Sequence, residues 1–302
     1  MASPFKNITL VGASGSIGQI LLEALLETSD FNVTVLTRSS STARFPTRVT
    51  VRKSDFSSSD LREALTGQDA VISAVGATGF AEQKKLIDAA VAAGVSRFIP
   101  SEFSADSQND AVLALLPLFG QKKEVIEYLK SKEGEITWTG IACSGLFDWG
   151  TANGFLGYDI GSRTATIWDD GNKKFTCTNQ KQFGRAVVSV LRQPEATANQ
   201  YLYISSVETS QNEILAALEK ATESSWTAQH TTTDAEVSDA TTKLQKGDFN
   251  GALTLVRATV YGDIPGLGSN YAKDRVLANE LLGLEEESVE ETIQRVVSEF
   301  NK

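Results

Sequence analysis

The chain is short of the residues on which metal and nucleophile chemistry most often rests. Its 302 residues include one histidine, His230, and two cysteines, Cys143 and Cys177. With one histidine in the chain, neither a His-containing catalytic triad nor a zinc site is expected. Two cysteines without ligand spacing make neither a metal centre nor a disulfide framework. No apolar run is long enough to cross a bilayer, and the opening MASPFKN carries no secretory hydrophobic segment. The expectation is a cytoplasmic protein with no membrane partner and no metal. Positive charge is also scarce: 28 lysines and arginines stand against 38 aspartates and glutamates, a net charge of −10. That balance argues against general binding to nucleic acid, so an anionic ligand needs a local basic site. The composition that remains is 41% hydrophobic and 22% charged, that of a globular protein with one large or two moderate domains.

What is present is concentrated in Asn7 to Gly18, NITLVGASGSIG. A short apolar strand, Ile8 to Val11, runs into Gly12, Gly15 and Gly18, and Ile17, Ile20, Leu21 and Leu25 follow at helical spacing. Strand, glycine-rich turn and helix form the phosphate-cradling start of a dinucleotide-binding unit. Gly12 makes the tight turn, Gly15 lets the backbone approach a pyrophosphate, and Gly18 lets the helix pack on the strand. The spacing is G-x-x-G-x-x-G, not the commoner G-x-G-x-x-G. Gly12, Ser14, Gly15, Ser16, Ile17 and Gly18 are therefore the expected pyrophosphate contacts.

Strand and helix then alternate. Phe31 to Leu36 is a second strand, ending at Thr37-Arg38-Ser39-Ser40 where such a unit reads the adenosine ribose. An acidic residue there favours NAD; Arg38 with Ser39, Ser40 and Ser41 instead suits the 2′-phosphate of NADP(H), unless Arg38 is only a solvated loop residue. Val49 to Arg52 is a third strand, followed by Ser54-Asp55-Phe56 and a helix from Ser59 to Leu65. Asp55 could hydrogen-bond the adenine amino group with Phe56 beside the ring, or it could only cap the turn. Ala70 to Val75 suits a strand buried on both faces. Val75 and Gly76, at its carboxyl end, stand where open α/β sheets bind ligands and are placed along the nicotinamide ribose. A helix from Ala81 to Ala93, a strand from Arg97 to Pro100, a helix from Leu118 to Lys130 and a strand from Ile136 to Ala142 complete the alternation. Beyond Ser144-Gly145-Leu146-Phe147-Asp148-Trp149 the pattern loosens into a glycine-rich loop, Asn153 to Arg163. Short strands near 164–168, 174–178 and 200–204 follow, with helices near 182–191, 211–220, 233–244, 252–261 and 288–300. The fold class read from this is α/β: a Rossmann-type, doubly wound parallel sheet with a smaller, interlaced α/β substrate domain. Residues 1–150, with a return segment near 179–206, form the dinucleotide domain and 151–302 mainly the substrate domain. Phe103, Phe147, Trp149, Phe155 and Tyr158 are candidates to line an apolar substrate pocket, Trp149, Phe155 and Tyr158 alternatively being lid packing.

VGASGSIG, KSDF, AVGATG, RFIPSEF and FGQK together resemble the isoflavone-reductase-like and NmrA-like proteins, atypical short-chain dehydrogenases, and most closely their CipA-like oxidoreductases. The resemblance covers nearly the whole chain; Asp170-Gly171-Asn172, Phe183-Gly184-Arg185 and Asn212-Glu213-Ile214 match its later landmarks. It implies an NADP-binding Rossmann domain, a smaller substrate domain over the cleft, and a lysine in F-x-x-K. Phe119-Gly120-Gln121-Lys122 carries that pattern, so Lys122 is the catalytic candidate. Hydride delivery to an unsaturated or carbonyl carbon builds negative charge, which a desolvated lysine can meet with a proton or a cation. The alternative is a helix-surface lysine beside Lys123. Ser104 stands where many relatives have glycine, which bears on the shape of that loop. Tyr128 and Lys132 match the Y-x-x-x-K of ordinary short-chain dehydrogenases, but at the end of their helix, without the context that motif needs. His230 reads as an exposed loop histidine and Cys143 as a small core residue. The reading is an NADPH-dependent reductase of a small hydrophobic, aromatic or conjugated substrate. The alternatives are a dinucleotide-binding redox sensor without turnover, and an isomerase or cyclase on the same fold. Oligomeric state is open.

Overall fold

The computed structural model describes residues 5–302. The leader reading from the first residues falls partly on 1–4, outside the described residues. Five short apolar or mixed runs become the parallel strands β1 (Asn7–Val11), β2 (Asn32–Arg38), β3 (Thr50–Ser54), β4 (Ala70–Ser73) and β5 (Arg97–Ile99). Between them lie helices α1 (Ser16–Glu27), α2 (Ser58–Leu65) and α3 (Gln83–Ala92). Next come α4 (Asp110–Leu115), α5 (Gly120–Ser131) and β6 (Thr137–Ala142). Parallel pairing aligns Leu10 with Val35 on one side and with Ile72 on the other. β4 is buried at every position, in keeping with its apolar Ala70-Val71-Ile72 run.

The second half continues with β7 (Gly145–Leu146), α6 (Phe147–Ala152), β8 (Tyr158–Asp159), β9 (Thr164–Trp168), β10 (Phe175–Thr178) and α7 (Gln180–Arg192). It ends with β11 (Gln200–Tyr203), β12 (Val207–Thr209), α8 (Gln211–Thr222), β13 (Thr227–Thr231), α9 (Thr233–Gln245), α10 (Asn250–Tyr261), α11 (Tyr271–Asp274), α12 (Asn279–Leu282) and α13 (Val289–Phe300). His230 sits within β13, not in a loop, and is exposed there. The glycine-rich stretch includes β8, which pairs antiparallel with β9.

The seven-stranded sheet has the order β11-β6-β5-β4-β1-β2-β3. The order reverses between β1 and β4, the point at which doubly wound sheets open a crevice beyond the carboxyl ends of the strands. Two smaller sheets have the orders β12-β10-β7 and β13-β9-β8. The chain forms two compact units. One holds the residues through Phe103 together with Leu118–Ile141 and Phe183–Leu202. Its core includes Val11, Leu36, Val71, Ile87, Phe98, Val125, Ile126 and Trp138. The other holds Ser104–Pro117, Ala142–Gln182 and Tyr203–Lys302, around Phe147, Tyr158, Ile167, Phe175, Cys177, Tyr261 and Ile293. Among the described residues no helix is long and apolar enough to cross a membrane, and no cluster of histidine, cysteine and acidic side chains could hold a metal.

Candidate cofactor and active site

The three glycines of the opening turn do three different jobs. Gly12 has φ +85°, a backbone conformation that side chains rarely adopt, and a Cβ there would stand 2.7 Å from the Ala74 carbonyl carbon. It turns the chain sharply and lets the ends of β1 and β4 close up. Gly18 is buried; a Cβ on it would stand 2.7 Å from Ala13 Cα and closer still to the Gly12 carbonyl oxygen. Its face is filled by backbone, so its role is the packing of α1, not contact with a ligand. Gly15 is open. Its φ is −81°, and the nearest atom to a Cβ would be the Gly12 oxygen at 3.5 Å.

Those ends frame a pocket of about 800 Å³ lined by Gly12, Ser14 and Gly15, by Arg38 at the end of β2, by Phe56, and by Val75 and Gly76 after β4. The N-terminus of α1, a helix of 12 residues, has no side-chain cap and no acidic residue in its first turn. Its free N–H groups and positive dipole end suit an anion. Arg38 is exposed on the rim, and among the described residues its guanidinium has no ion pair or side-chain hydrogen bond. A glycine turn open at Gly15, an uncapped helix start and an uncommitted guanidinium fit a dinucleotide phosphate. Ser16 and Ile17 open α1 and, like Gly18 and Asp55, are not among the lining residues. Asp55 accepts the Ser57 N–H at 2.7 Å, so its carboxylate caps the turn, and that bond holds its pKa below the usual carboxylate value. Phe56 does line the pocket, with φ +60°, an uncommon conformation for a bulky residue held at the site by its surroundings.

Thr78 and Gly79, in the turn that follows Gly76 at the carboxyl end of β4, also line the pocket, and so do two residues that the sequence did not single out, Gln83 and Lys85 on α3. Lys85 is a second exposed cation beside the pocket. Its only signal in the sequence was its place in the first turn of a helix that follows a sheet strand.

Lys122 is not a surface lysine. It is 4% exposed, while Lys123 beside it is half-buried. Its ammonium donates to the Glu102 carbonyl oxygen at 2.6 Å and lies 4.5 Å from the Phe119 ring centroid and 4.8 Å from that of Phe80. Hydrogen bonds tie this lysine to the pocket wall. Ser101, next to Glu102, donates from its hydroxyl to the Val75 carbonyl at 2.7 Å and from its N–H to Gln83 Oε1 at 2.8 Å. Val75 and Gln83 both line the pocket.

The Y-x-x-x-K alternative loses its chemistry. The Tyr128 hydroxyl is bound to the Asp88 carboxylate, and that bond raises its pKa to about 12, away from what a catalytic tyrosine needs. Lys132 is the C-cap of α5 and pairs with Glu135 at 3.3 Å.

Of the aromatic candidates, Phe103 is buried edge-on against Phe183, their centroids 5.1 Å apart. Phe147 and Tyr158 are core residues of the second unit, 0% and 1% exposed, and the Tyr158 hydroxyl donates to the Gln211 carbonyl at 2.8 Å. They pack rather than line a pocket, because the helices and strands around them leave no open face. Trp149 and Phe155 form a half-buried pair 5.7 Å apart, the part of the aromatic set that keeps some exposure. Cys143 is fully buried.

The NmrA-like family model matches residues 4–245. The chain belongs to the NmrA-like family. Among relatives of this NmrA-like chain, the oxidoreductase aprR of Aspergillus flavus is 36% identical over 295 residues, covering 96% of this chain and 98% of that protein. The oxidoreductase poxI of Penicillium oxalicum is 32% identical over 298 residues, 97% of this chain and 94% of its own length. In structure the chain resembles AtPrR2, solved with NADP+ and (+)pinoresinol, at a TM-score of 0.78 and 20% identity, covering 98% of this chain and all of that one. That likeness is one of fold.

Proposed function

We propose that this NmrA-like protein is an NADPH-dependent reductase of a small hydrophobic, aromatic or conjugated substrate, with Lys122 as general acid or electrostatic stabiliser. The observation that carries the proposal is the buried Lys122, fastened through Glu102 and Ser101 to the wall of the glycine-lined pocket. The names of the relatives aprR and poxI and the ligands of AtPrR2 support the same class of chemistry. Gly12 and Gly15 let the backbone approach the pyrophosphate, the Gly15 N–H being spent on the Gly12 carbonyl at 3.1 Å, while the Ser14 hydroxyl and the first N–H groups of α1, at Ser16 and Ile17, hold it. Arg38 takes the 2′-phosphate, Phe56 lies against the adenine, and Val75 and Gly76 pass the nicotinamide ribose. The cofactor supplies the hydride when bound. The Lys122 ammonium meets the negative charge that develops on the reduced substrate, either giving up a proton to it or stabilising it as a fixed cation. A cation held by a carbonyl and two rings needs little reorganisation as that charge appears, which is the main source of such stabilisation.

The test is NADPH consumption by the purified protein against a panel of phenolic and quinone-like compounds, with Lys122→Met in parallel. Turnover by the natural sequence that Lys122→Met loses, at unchanged NADPH affinity, is the expected result. Tight NADPH binding without turnover anywhere in the panel would replace the reductase with a dinucleotide sensor.

A further inference from the structure

Glu102 is 1% exposed, and a carboxylate at that depth is expensive unless its oxygens are satisfied. Its Oε2 accepts the Tyr201 hydroxyl at 2.8 Å, from a strand 99 residues away. The Tyr201 ring reaches it because position 140, inside β6, is glycine. A Cβ there would stand 2.7 Å from Tyr201 Cδ2 and 3.1 Å from Cε2. Glycine inside a strand costs roughly 0.5–1 kcal/mol relative to alanine, so the sheet forgoes stability at the one point where this ring crosses it. The other end of Glu102 is its carbonyl, which accepts the Lys122 ammonium at 2.6 Å, while its N–H donates to the Pro100 carbonyl at 2.8 Å. Glu102 thus links Tyr201, bound at its side chain, to Lys122, bound at its main-chain carbonyl.

We propose that Glu102 and Tyr201 are positioning residues for Lys122: Tyr201 clamps the Glu102 side chain, which fixes the direction of the carbonyl that holds the ammonium. The inference rests on the role given to Lys122 above. The carboxylate has a second effect. An ammonium hydrogen-bonded to a residue's own carbonyl lies within about 8 Å of that residue's carboxyl group by covalent geometry. The buried cation thus has a buried anion near it, and the pair keeps the ammonium from being drawn toward solvent. Releasing the clamp lets the ammonium swing, and a displacement of about 1 Å in a reacting group costs on the order of 100-fold in rate.

The experiment uses the full chain and the variants Tyr201→Phe, Glu102→Gln, Gly140→Ala and Lys122→Met. Lys122 acylation by acetic anhydride is followed by mass spectrometry, with Lys123 as internal reference. Turnover of NADPH with 9,10-phenanthrenequinone as probe, the NADPH Kd and the Tm are measured alongside. In Tyr201→Phe and Glu102→Gln, Lys122 should acylate roughly 10-fold faster relative to Lys123, and kcat should fall roughly 10- to 100-fold at unchanged NADPH Kd. Gly140→Ala should reproduce Tyr201→Phe, because it pushes the ring aside. The Gly140→Ala/Tyr201→Phe double variant should then be no slower than either alone, the sign of a shared interaction. Unchanged Lys122 acylation in both conservative variants overturns the proposal, whatever the probe shows. So does a loss of kcat matched by a fall in Tm with Lys122 and Lys123 exposed equally. Full turnover by Lys122→Met would instead sink the role of the lysine itself, and the acylation result tells the two failures apart.

Discussion

Two glycines three residues apart should fail in opposite ways. At Gly15 the backbone is already in a region open to any residue, and a Cβ would touch only the Gly12 oxygen at 3.5 Å. Gly15→Val should therefore leave the Tm within roughly 2 °C, with the reduced freedom of the unfolded chain offsetting small losses. The new methyls would stand in the pocket mouth, over the uncapped start of α1. If they displace the pyrophosphate from two backbone N–H groups, at about 1.5–3 kcal/mol for each hydrogen bond to a charged group, NADPH binding weakens by roughly 3–6 kcal/mol. That is on the order of 10²- to 10⁴-fold in Kd. At Gly18 the added methyl meets backbone, Ala13 Cα at 2.7 Å and the Gly12 carbonyl, with no flexible side chain to give way. Helix α1 must then move off β1. Overpacking costs about 1–3 kcal/mol, and rigid neighbours put Gly18→Ala at the upper end. At roughly 2–4 °C per kcal/mol its Tm should fall by roughly 6–12 °C. Calorimetric titration with NADPH and a thermal melt on both variants decide the matter. If Gly15→Val binds NADPH as well as the natural sequence, the pocket does not hold a pyrophosphate at this turn. If its Tm falls as far as that of Gly18→Ala, Gly15 is a packing residue.

Arg38→Glu should abolish or invert a preference for NADPH over NADH by setting like charge against the 2′-phosphate; equal affinity of the unaltered protein for the two cofactors would refute the role. Lys122→Met should lower turnover ~100- to 10,000-fold while NADPH affinity holds, and turnover at the starting rate would show that reduction here needs no side-chain acid. Tyr128→Phe should leave kcat unchanged, because its hydroxyl is committed to Asp88. The same contact gives a pH signature. Its pKa is raised to about 12 in the folded protein against 10 for a free tyrosine, so the stability it lends is complete below pH 10 and lost between 10 and 12. Alkaline melts should show Tyr128→Phe losing less stability than the natural sequence across that window, and no tyrosine limb should enter the rate profile below it.

The sequence alone carried the features that are local or periodic. A parallel strand covered on both faces is mostly apolar along its length, so β1 and β4 stood out as runs, and β2 stood out by its β-branched residues with Val33 and Val35 buried. The glycine turn was legible for the same reason, since strand end, tight turn and helix start occupy 12 consecutive positions. The short, polar or edge elements were not. β13, Thr-Ala-Gln-His-Thr, is exposed along nearly its whole length and has no apolar alternation; it is a strand because β9 pairs with it. α6 and β7 hold too few residues to show a period.

Tertiary packing alone decided what each candidate side chain faces. Lys122 and Lys123 are identical neighbours, and the rotation of α5 against the sheet buries one and leaves the other half out. Phe147 and Tyr158 look like pocket aromatics in the sequence but are closed off by helices from far along the chain. Asp55 could have pointed to a ligand or to its own turn, and the Ser57 N–H took it. The link from Tyr201 through Glu102 to Lys122 needs β6 and β11 to be sheet neighbours with a glycine between ring and strand. Sequence patterns describe how each segment meets water or core; which distant segments meet each other is set by how the sheet is assembled.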